Sequence, residues 1–221
     1  EIPVEKAVIP KAGSYRSSTK SIGDPADIER LADILVASER PAVLFGQQVW
    51  ASGSHTSAIE FIRSLDIPAY MNGASRGMLP ETDPHHFDRT RSDAFKEADV
   101  ILIVGTPFDF RMGYGRRISN AATLVQIDQS YATVGKNRDI SLGLAGDPGA
   151  ILKAVEQAAS GRIDKGAQKQ RQAWMARLRE IEKAKLEKLL PMFQSEQNPI
   201  HPYRLAYDCL LYTSPSPRDI S

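Results

Sequence analysis

The sequence predicts an α/β fold: a doubly wound, Rossmann-like parallel sheet of about five or six strands with helices on both faces, followed by a long linker helix. Two observations support this prediction. Short apolar runs such as PAVLF (41–45) and DVILIVG (99–105) alternate with segments whose apolar residues recur at helical spacing. The apolar runs are continuous, which is typical of strands that helices cover on both faces.

The elements can be followed in order from residue 24. Asp24 and Pro25 form a helix cap and a first-turn proline, and the helix that follows should end before Pro41. Asp147 is expected to cap a later helix. The further strands are predicted in IPAYM, ATLVQID and ISLGLAG, and the further helices in HTSAIEFIRSL, RSDAFKEA and DPGAILKAVEQAAS. These elements make residues 24–160 one α/β domain.

The flanking segments have a different character. Residues 1–10 contain a short β-like piece, and residues 11–23 are a linker rich in Gly, Ser and Pro. Residues 161–198 contain one long amphipathic helix, which we expect to pack against another domain. Residues 199–208 begin a new segment.

The last residues have an unusual origin on sequence grounds. CLLYTSPSPRD (209–219) resembles, letter for letter, the translation of a transposon-end adaptor used to prepare sequencing libraries. We therefore expect residues 209–221 to be an artefact and exclude them from reasoning about the fold. A genuine Ser/Pro-rich tail is the alternative.

Composition excludes several classes of function. Lys and Arg total 28 against 27 for Asp and Glu, so no overall charge favours a nucleic-acid or anionic-membrane partner. No apolar run approaches the roughly 20 residues that span a bilayer, which predicts a soluble, cytoplasmic protein. Cys209 is the single cysteine, so an internal disulfide framework is excluded.

The candidate site residues follow the strands, because parallel strands bring their carboxyl ends to one edge, where ligands bind. Gly46 follows the first strand; it permits close approach of a ligand, or only a turn. Gly73 lies in the long loop after the second strand, which is either functional or merely rigid. In FDFR, Asp109 and Arg111 should point the same way if the chain stays extended, either gripping a phosphate or forming a surface pair.

The fourth and fifth strands end in acids. Asp128 is suited to accept hydrogen bonds from ribose hydroxyls, with a helix cap as the competing interpretation. Asp147 is more suited to a cap than to a ligand. Fingerprints of the G-x-G-x-x-G, G-x-x-x-x-G-K-[ST] and G-x-S-x-G types do not occur, and no metal site is predicted around the neighbouring His85 and His86. The residues alone predict a nucleotide-type pocket without a reaction.

Three longer segments carry a family resemblance. GASRGMLPETDPHHFDRTRSDAFKEADVILIVGTPFDFRMGYGR, VQIDQSYATVGKNRDI and LAGDPGAIL resemble the central domain of thiamine-diphosphate-dependent enzymes of the acetolactate synthase group. That group includes oxalyl-CoA decarboxylase and the 2-hydroxyacyl-CoA lyases. The resemblance implies that residues 1–10 end a pyrimidine-binding domain and that residues 199–208 begin a diphosphate-binding domain.

The resemblance also implies cofactors and partners. The whole enzyme would use thiamine diphosphate and Mg²⁺, act on a 2-oxo acid or an acyl-CoA, and form a homodimer or homotetramer. The family's Gly-Asp-Gly and distant Asn, which hold these two cofactors, are missing: the nearest string is AGDPGA, with no Asn between Pro148 and Gln197. No catalytic residue is therefore expected in this chain.

The central domain of this group holds FAD or ADP. By resemblance, Gly46, Gly73, Arg111, Asp128 and Asp147 are the nucleotide-binding residues. FGQQ replaces the usual glycine run, and Phe110 stands where a second acid is common, so the sequence departs from typical flavin-binding members. The leading function is a carboligase or decarboxylase of the acetolactate synthase type. A 2-hydroxyacyl-CoA lyase or an oxalyl-CoA decarboxylase-like enzyme is the alternative, and a non-catalytic nucleotide-binding module is the alternative of another class.

Overall fold

A computed structural model describes the backbone of residues 20–213 and the side chains of residues 20–210. The predicted pyrimidine-domain end at 1–10 and most of the predicted linker at 11–23 lie outside this range. So does the end of the adaptor-like segment, residues 214–221. Nothing in the described range tests the origin of residues 209–213, so that interpretation stays a prediction.

The fold alternates strands and helices as predicted. Over residues 20–213 the strands are β1 Pro41–Phe45, β2 Ala69–Met71, β3 Val100–Val104, β4 Thr123–Asp128 and β5 Leu142–Ala145. The helices are α1 Pro25–Ala37, α2 Gln47–Ala51, α3 His55–Ser64, α4 Arg91–Glu97, α5 Pro148–Ala159, α6 Lys165–Phe193 and α7 Pro202–Thr213. Short 3₁₀ turns occur at Gly73–Ser75 and Phe110–Gly115. The short helix α2 was not predicted.

The helix starts follow from local capping. Asp24 accepts the N–H of Ala26 and Asp147 accepts that of Ala150, and each cap is followed by a proline at the first helical turn. Both predicted caps are confirmed. Asp164 begins α6 in the same way by accepting the N–H of Ala167. Each cap gives one of the free amides at a helix start a partner.

The sheet is parallel, and its strand order is β2-β1-β3-β4-β5. The strand order reverses between β1 and β3. The chain runs from β1 to β2 on one side of this point and from β3 to β4 and β5 on the other. Ligands of doubly wound sheets bind in the crevice that opens at such a reversal, outside the carboxyl ends of the strands. The predicted site residues that follow β1, β3 and β4 therefore flank this crevice.

Two apolar clusters cover the two faces of the sheet. One face packs against α1, α3 and α5, and strand residues such as Val43 and Leu102 belong to that cluster. The other face packs against α4 and the N-terminal half of α6, through Trp174 and Leu178. The expectation that α6 packs against another domain is wrong for this half, since Trp174 is 3% exposed and lies on the sheet of its own domain.

A buried arginine fixes α6 to the rest of the domain. Arg171 is fully buried and donates hydrogen bonds to three carbonyls, those of Leu35, Ser38 and Leu65, which lie at or just after the C-termini of α1 and α3. Carbonyls at the end of a helix lack the usual N–H partner four residues on, although Leu35 O also accepts the N–H of Ser38. Arg171 therefore closes two helix ends at once.

Helices long and apolar enough to cross a bilayer do not occur between residues 20 and 213.

Candidate functional site at the carboxyl edge of the sheet

Gly46 lies where the loops after β1 and β3 touch. Its N–H donates to Val104 O at 2.7 Å, and the N–H of Gln48 donates to Gly105 O at 3.2 Å. A Cβ at Gly46 would overlap both Gly105 O and the Cβ of Thr106. Since the φ of Gly46 is −106°, the turn itself does not require glycine. The glycine is needed because the protein's own loop passes so closely.

Asp128 is fully buried at the end of β4, and one of its oxygens is already engaged. Oδ1 accepts the Nε2–H of Gln48 at 3.0 Å and the N–H of Ser130 at 2.8 Å. Oδ2 has no hydrogen-bond partner within the described part of the chain. The bond from Ser130 closes a turn and no α-helix begins at Asp128, so the predicted helix cap is replaced by a turn. A buried carboxylate oxygen without a donor is costly unless a ligand supplies one.

Gly73 begins the 3₁₀ turn after β2 with a φ of +58°, a left-handed conformation that favours glycine. The same turn docks on the first loop, because the Oγ–H of Ser75 donates to Gly46 O at 2.6 Å. The amide of Asn72 contacts the sulfur of Met112 at 3.7 Å, which joins this turn to the loop after β3. Gly73 therefore allows three of the edge loops to meet.

The segment after β3 does not stay extended. Phe108 is 1% exposed and Phe110 is 74% exposed, whereas an extended chain would have placed both rings on one side. The chain turns because Asp109 accepts the N–H of Arg111 at 2.9 Å. The guanidinium of Arg111 also donates to Asp109, with an Nε to Oδ2 distance of 2.9 Å. The surface pair, one of the two alternatives, is thus formed.

This pairing shifts the pKa of both groups. The pKa of Asp109 lies below its ordinary value, chiefly because the Arg111 side chain donates to the carboxylate. The pKa of Arg111 is raised by the same hydrogen bond. Arg111 stays exposed, so its outer guanidinium N–H groups can still reach an anion.

Asp147 acts as a cap in this structure. Oδ1 accepts the N–H of Ala150 at 2.9 Å and the ammonium of Lys20 at 3.2 Å. Lys20 and Ser21 lie at the start of the described chain, and Ser21 O accepts the N–H of Asp147 at 2.8 Å. The carboxylate of Asp147 thus has partners at the end of the sheet next to β5. Its role in binding a nucleotide stays a prediction.

A cavity of about 390 Å³ opens beside Arg111, between the ends of β2 and β3 and the start of α4. Of the five predicted residues, all of them in the described range, Arg111 alone lines it. Its other charged lining residues are Arg76, Asp88, Arg89, Arg91 and Arg117. Arg76 lies in the same loop as Gly73, but the sequence analysis assigned a role to neither Arg76 nor the other four residues. Arg91 carried no signal, because it belongs to a helix and not to a strand end.

The predicted residues thus form three groups. Gly46, Gly73 and Asp128 belong to one network, linked through Ser75 and Gln48. Arg111 faces the cavity, and Asp147 lies beside Lys20. Within residues 20–210, no three His, Cys, Asp or Glu side chains are grouped to hold a metal ion. The edge can bind a polar or anionic ligand.

Comparison with known proteins agrees with this architecture. Residues 28–155, more than half of the chain, match the family model for the thiamine pyrophosphate enzyme central domain. The acetolactate synthase large subunit IlvG of Mycobacterium tuberculosis is 33% identical over 185 residues, covering 80% of this chain and 31% of that protein. Human 2-hydroxyacyl-CoA lyase 2 is 29% identical over 198 residues, covering 84% and 30%. The chain spans about a third of the length of these relatives.

A solved structure shows the same fold. Benzoylformate decarboxylase from Polynucleobacter necessarius superposes with a TM-score of 0.56 at 20% sequence identity, covering 71% of this chain and 31% of that one. The family assignment predicted from the sequence is confirmed, as is the parallel α/β fold. This chain belongs to the thiamine pyrophosphate enzyme family, and residues 28–155 are its central domain.

Proposed function

We propose that the chain serves in a thiamine-diphosphate-dependent carboligase or decarboxylase of the acetolactate synthase type, acting on a 2-oxo acid. The support is the similarity to an acetolactate synthase subunit over 80% of the chain. Thiamine diphosphate, held with Mg²⁺, supplies the carbon nucleophile in such chemistry, and the protein binds and positions it. The string AGDPGA lacks the second glycine of the usual cofactor motif, so these ligands belong to other parts of the enzyme.

The share of this domain is to bind an adenine nucleotide at the carboxyl edge. The observation that carries the proposal is Asp128: it ends β4 beside the β1/β3 crevice, and its buried Oδ2 has no donor in the described range. A ribose hydroxyl is the donor that this position suits. Arg111 would bind the phosphates with its outer N–H groups while Asp109 fixes its orientation.

Of the two nucleotides predicted, ADP fits better than FAD. Gln48 stands in the segment where flavin-binding members usually have a glycine run, and its side chain donates a hydrogen bond to Asp128. The adjacent cavity is lined by five guanidinium groups, which suit the phosphate oxygens that both nucleotides carry. FAD binding, a homodimer or homotetramer and a cytoplasmic location stay predictions.

The lyase alternative has one observation in its favour. A 2-hydroxyacyl-CoA carries three phosphates, and an arginine-lined cavity at the edge of the central domain would suit them. Similarity to a human 2-hydroxyacyl-CoA lyase covers 84% of the chain. The two activities differ in substrate and not in the role of this domain.

The experiment is to recover the complete coding sequence, purify its product and assay it with thiamine diphosphate and Mg²⁺. We expect either condensation of a 2-oxo acid or cleavage of a 2-hydroxyacyl-CoA, in a preparation without a yellow chromophore. A yellow preparation would overturn the choice of ADP. A product with no Gly-Asp-Gly and distant Asn, and with no activity on either substrate, would favour a non-catalytic nucleotide-binding module.

A further inference from the structure

A second cavity lies between the 3₁₀ turn after β3 and the loop after β4. Its volume is about 360 Å³, and it shares no lining residue with the cavity beside Arg111. The residues that line it are Tyr114, Arg116, Asn137 and Arg138. No carboxylate is among them, so the lining of the second cavity is positively charged.

The turn and the loop that form this cavity are held together by close contacts. The amide of Asn137 donates to Phe108 O at 3.1 Å, and Nη2 of Arg138 donates to Ile118 O at 3.3 Å. A Cβ at Gly115, whose φ is +75°, would lie 3.2 Å from Cγ of Arg138, so glycine lets the turn pack on this arginine. The walls are thus in place before a ligand arrives, which lowers the entropic cost of binding.

Tyr114 has a backbone conformation that is rare for its residue type. Its φ of +55° lies in the left-handed region, and its N–H donates to Asp109 O at 2.9 Å. The ring stays exposed on the wall of the second cavity, and the guanidinium of Arg116 lies over it, 5.6 Å from the ring centre. Residues held in such conformations are concentrated at binding sites.

The two arginines of this cavity have unused donors. Within residues 20–210, neither Arg116 nor Arg138 has a carboxylate within 4 Å. Nη2 of Arg138 donates to Asn120 Oδ1 at 2.7 Å, which orients the guanidinium, while Nη1 and the buried Nε have no acceptor in this part of the chain. The guanidinium of Arg116 makes no hydrogen bond there either. Both groups are therefore available to a carboxylate.

The two segments that build the second cavity carry further basic and aromatic side chains. Residues 106–118 and 129–140 contain five basic residues against two acidic ones, and one of these acids, Asp109, is already in an ion pair. Phe110 and Tyr131, from the same two segments, are largely exposed. Arginine and aromatic side chains are enriched where proteins bind one another. A polypeptide would cover these rings, whereas a small ion would leave them in water.

A single-stranded nucleic acid is the other macromolecule to consider, because bases stack on tyrosine and arginine side chains. Such a ligand needs basic residues along its phosphate backbone. The chain as a whole has 28 basic and 27 acidic residues, so the positive charge is confined to a small patch. A patch of this kind favours a short acidic segment.

We propose that Tyr114, Arg116, Asn137 and Arg138 form a docking site for an acidic segment of another polypeptide. One carboxylate of that segment binds between the two guanidinium groups, and its apolar side chains cover the exposed rings. The site goes beyond the nucleotide proposed for this edge of the sheet and does not depend on it.

The test is a fluorescence anisotropy titration of the 221-residue chain into a labelled synthetic peptide of repeated Glu-Leu-Glu units. Arg116 and Arg117 provide a matched pair, because both are exposed and adjacent, but Arg116 lines the second cavity and Arg117 lines the cavity beside Arg111. We expect Arg116→Gln to weaken binding about tenfold and Arg117→Gln less than about twofold. Arg116→Lys should recover part of the loss, since it keeps the charge without the planar fork.

Two results would overturn the site: no peptide binding by the unaltered chain, or equal weakening by Arg116→Gln and Arg117→Gln. Both side chains are exposed, so neither substitution should change thermal unfolding. A peptide with glutamine in place of each glutamate should bind at least about tenfold more weakly, and equal affinity would show that carboxylates are not recognised. Displacement of the acidic peptide by inorganic phosphate or by oligodeoxythymidine, at concentrations similar to its own, would identify a phosphate site and contradict the proposal.

Discussion

Gln48 and Asp128 join the first and fourth loops of the sheet edge through a side-chain bridge. The carboxamide Nε2–H donates to Asp128 Oδ1 at 3.0 Å, and its Oε1 accepts the N–H of Gln129 at 3.0 Å. This bridge lies at the position where sequence reasoning expected a ribose. The same carboxylate therefore serves the fold through Oδ1 and has Oδ2 left for a ligand.

Removing the bridge should change stability and nucleotide affinity in opposite directions. In Gln48→Ala, Asp128 loses a donor, and we expect the free energy of unfolding to fall by about 1–2 kcal/mol. The freed Oδ1 becomes available to a ribose, so the affinity for ADP should rise several-fold. Urea unfolding and calorimetric titration measure the two effects, and the exposed neighbour Gln47→Ala is the control. A weaker affinity for ADP in Gln48→Ala would mean that Gln48 itself binds the nucleotide.

The contact between the loops after β1 and β3 predicts a severe effect of Gly46→Ala. The added Cβ would overlap the backbone of Gly105, which cannot move aside as a flexible side chain can. We expect a loss of about 3 kcal/mol in the free energy of unfolding. Gly166→Ala is the control, since Gly166 is exposed and a Cβ there meets only a carboxylate oxygen of Asp164 at 3.0 Å. Equal stability of the two variants would refute the account of Gly46.

Two arginines of α6 allow the cost of losing a buried interaction to be compared with that of losing an exposed one. Arg171→Met keeps the apolar stem but removes the donor of Leu65 O and leaves Leu35 O with only the N–H of Ser38, so we expect a loss of about 3 kcal/mol in unfolding free energy. Arg177→Met breaks a pair with Glu97 in which both side chains are largely exposed, and should cost less than about 1 kcal/mol. Similar losses in both variants would argue against the role given to Arg171.

The lowered pKa of Asp83 predicts that this residue contributes to the loss of stability in acid. Burial alone would raise the pKa of its carboxyl, but the hydrogen bonds from Arg63 and from the N–H of His85 outweigh burial and lower it. A lowered folded-state pKa stabilises the protein above the unfolded value of about 4, and this contribution is lost as the pH falls through the folded-state pKa. Urea unfolding between about pH 6 and about pH 3 should therefore show a smaller loss in Asp83→Asn than in the unaltered chain. Identical losses would contradict the assignment.

Much of the fold was accessible from the sequence because the relevant signals are local. Continuous apolar runs gave the strands, and an aspartate followed by proline marked the starts of α1 and α5. The partner of α6 was not predictable, because an amphipathic pattern identifies an apolar face without naming the surface that covers it. Trp174 and Leu178 pack on the sheet of the same domain, and this contact depends on the tertiary structure and not on the local sequence pattern.

The candidate site was only partly predictable, for a similar reason. The edge residues could be located since strand ends converge in any parallel sheet. The direction of the Arg111 side chain could not be predicted, because the carboxylate of Asp109 accepts the backbone N–H of Arg111 and so turns the chain. Arg91 and Arg117 come from elements whose approach to the cavity depends on Glu182 and on the 3₁₀ turn after β3.

The most direct test of a nucleotide at this edge is a calorimetric titration of ADP into the chain and into Asp128→Asn. The substitution keeps the shape of the side chain and removes the charge that receives the ribose hydroxyl. Glu60→Gln, which removes an exposed charge from α3, is the matched control. We predict one ADP per chain, an affinity about tenfold weaker in Asp128→Asn and an unchanged affinity in Glu60→Gln. Absence of ADP binding, or equal affinity in all three proteins, would contradict the proposed site.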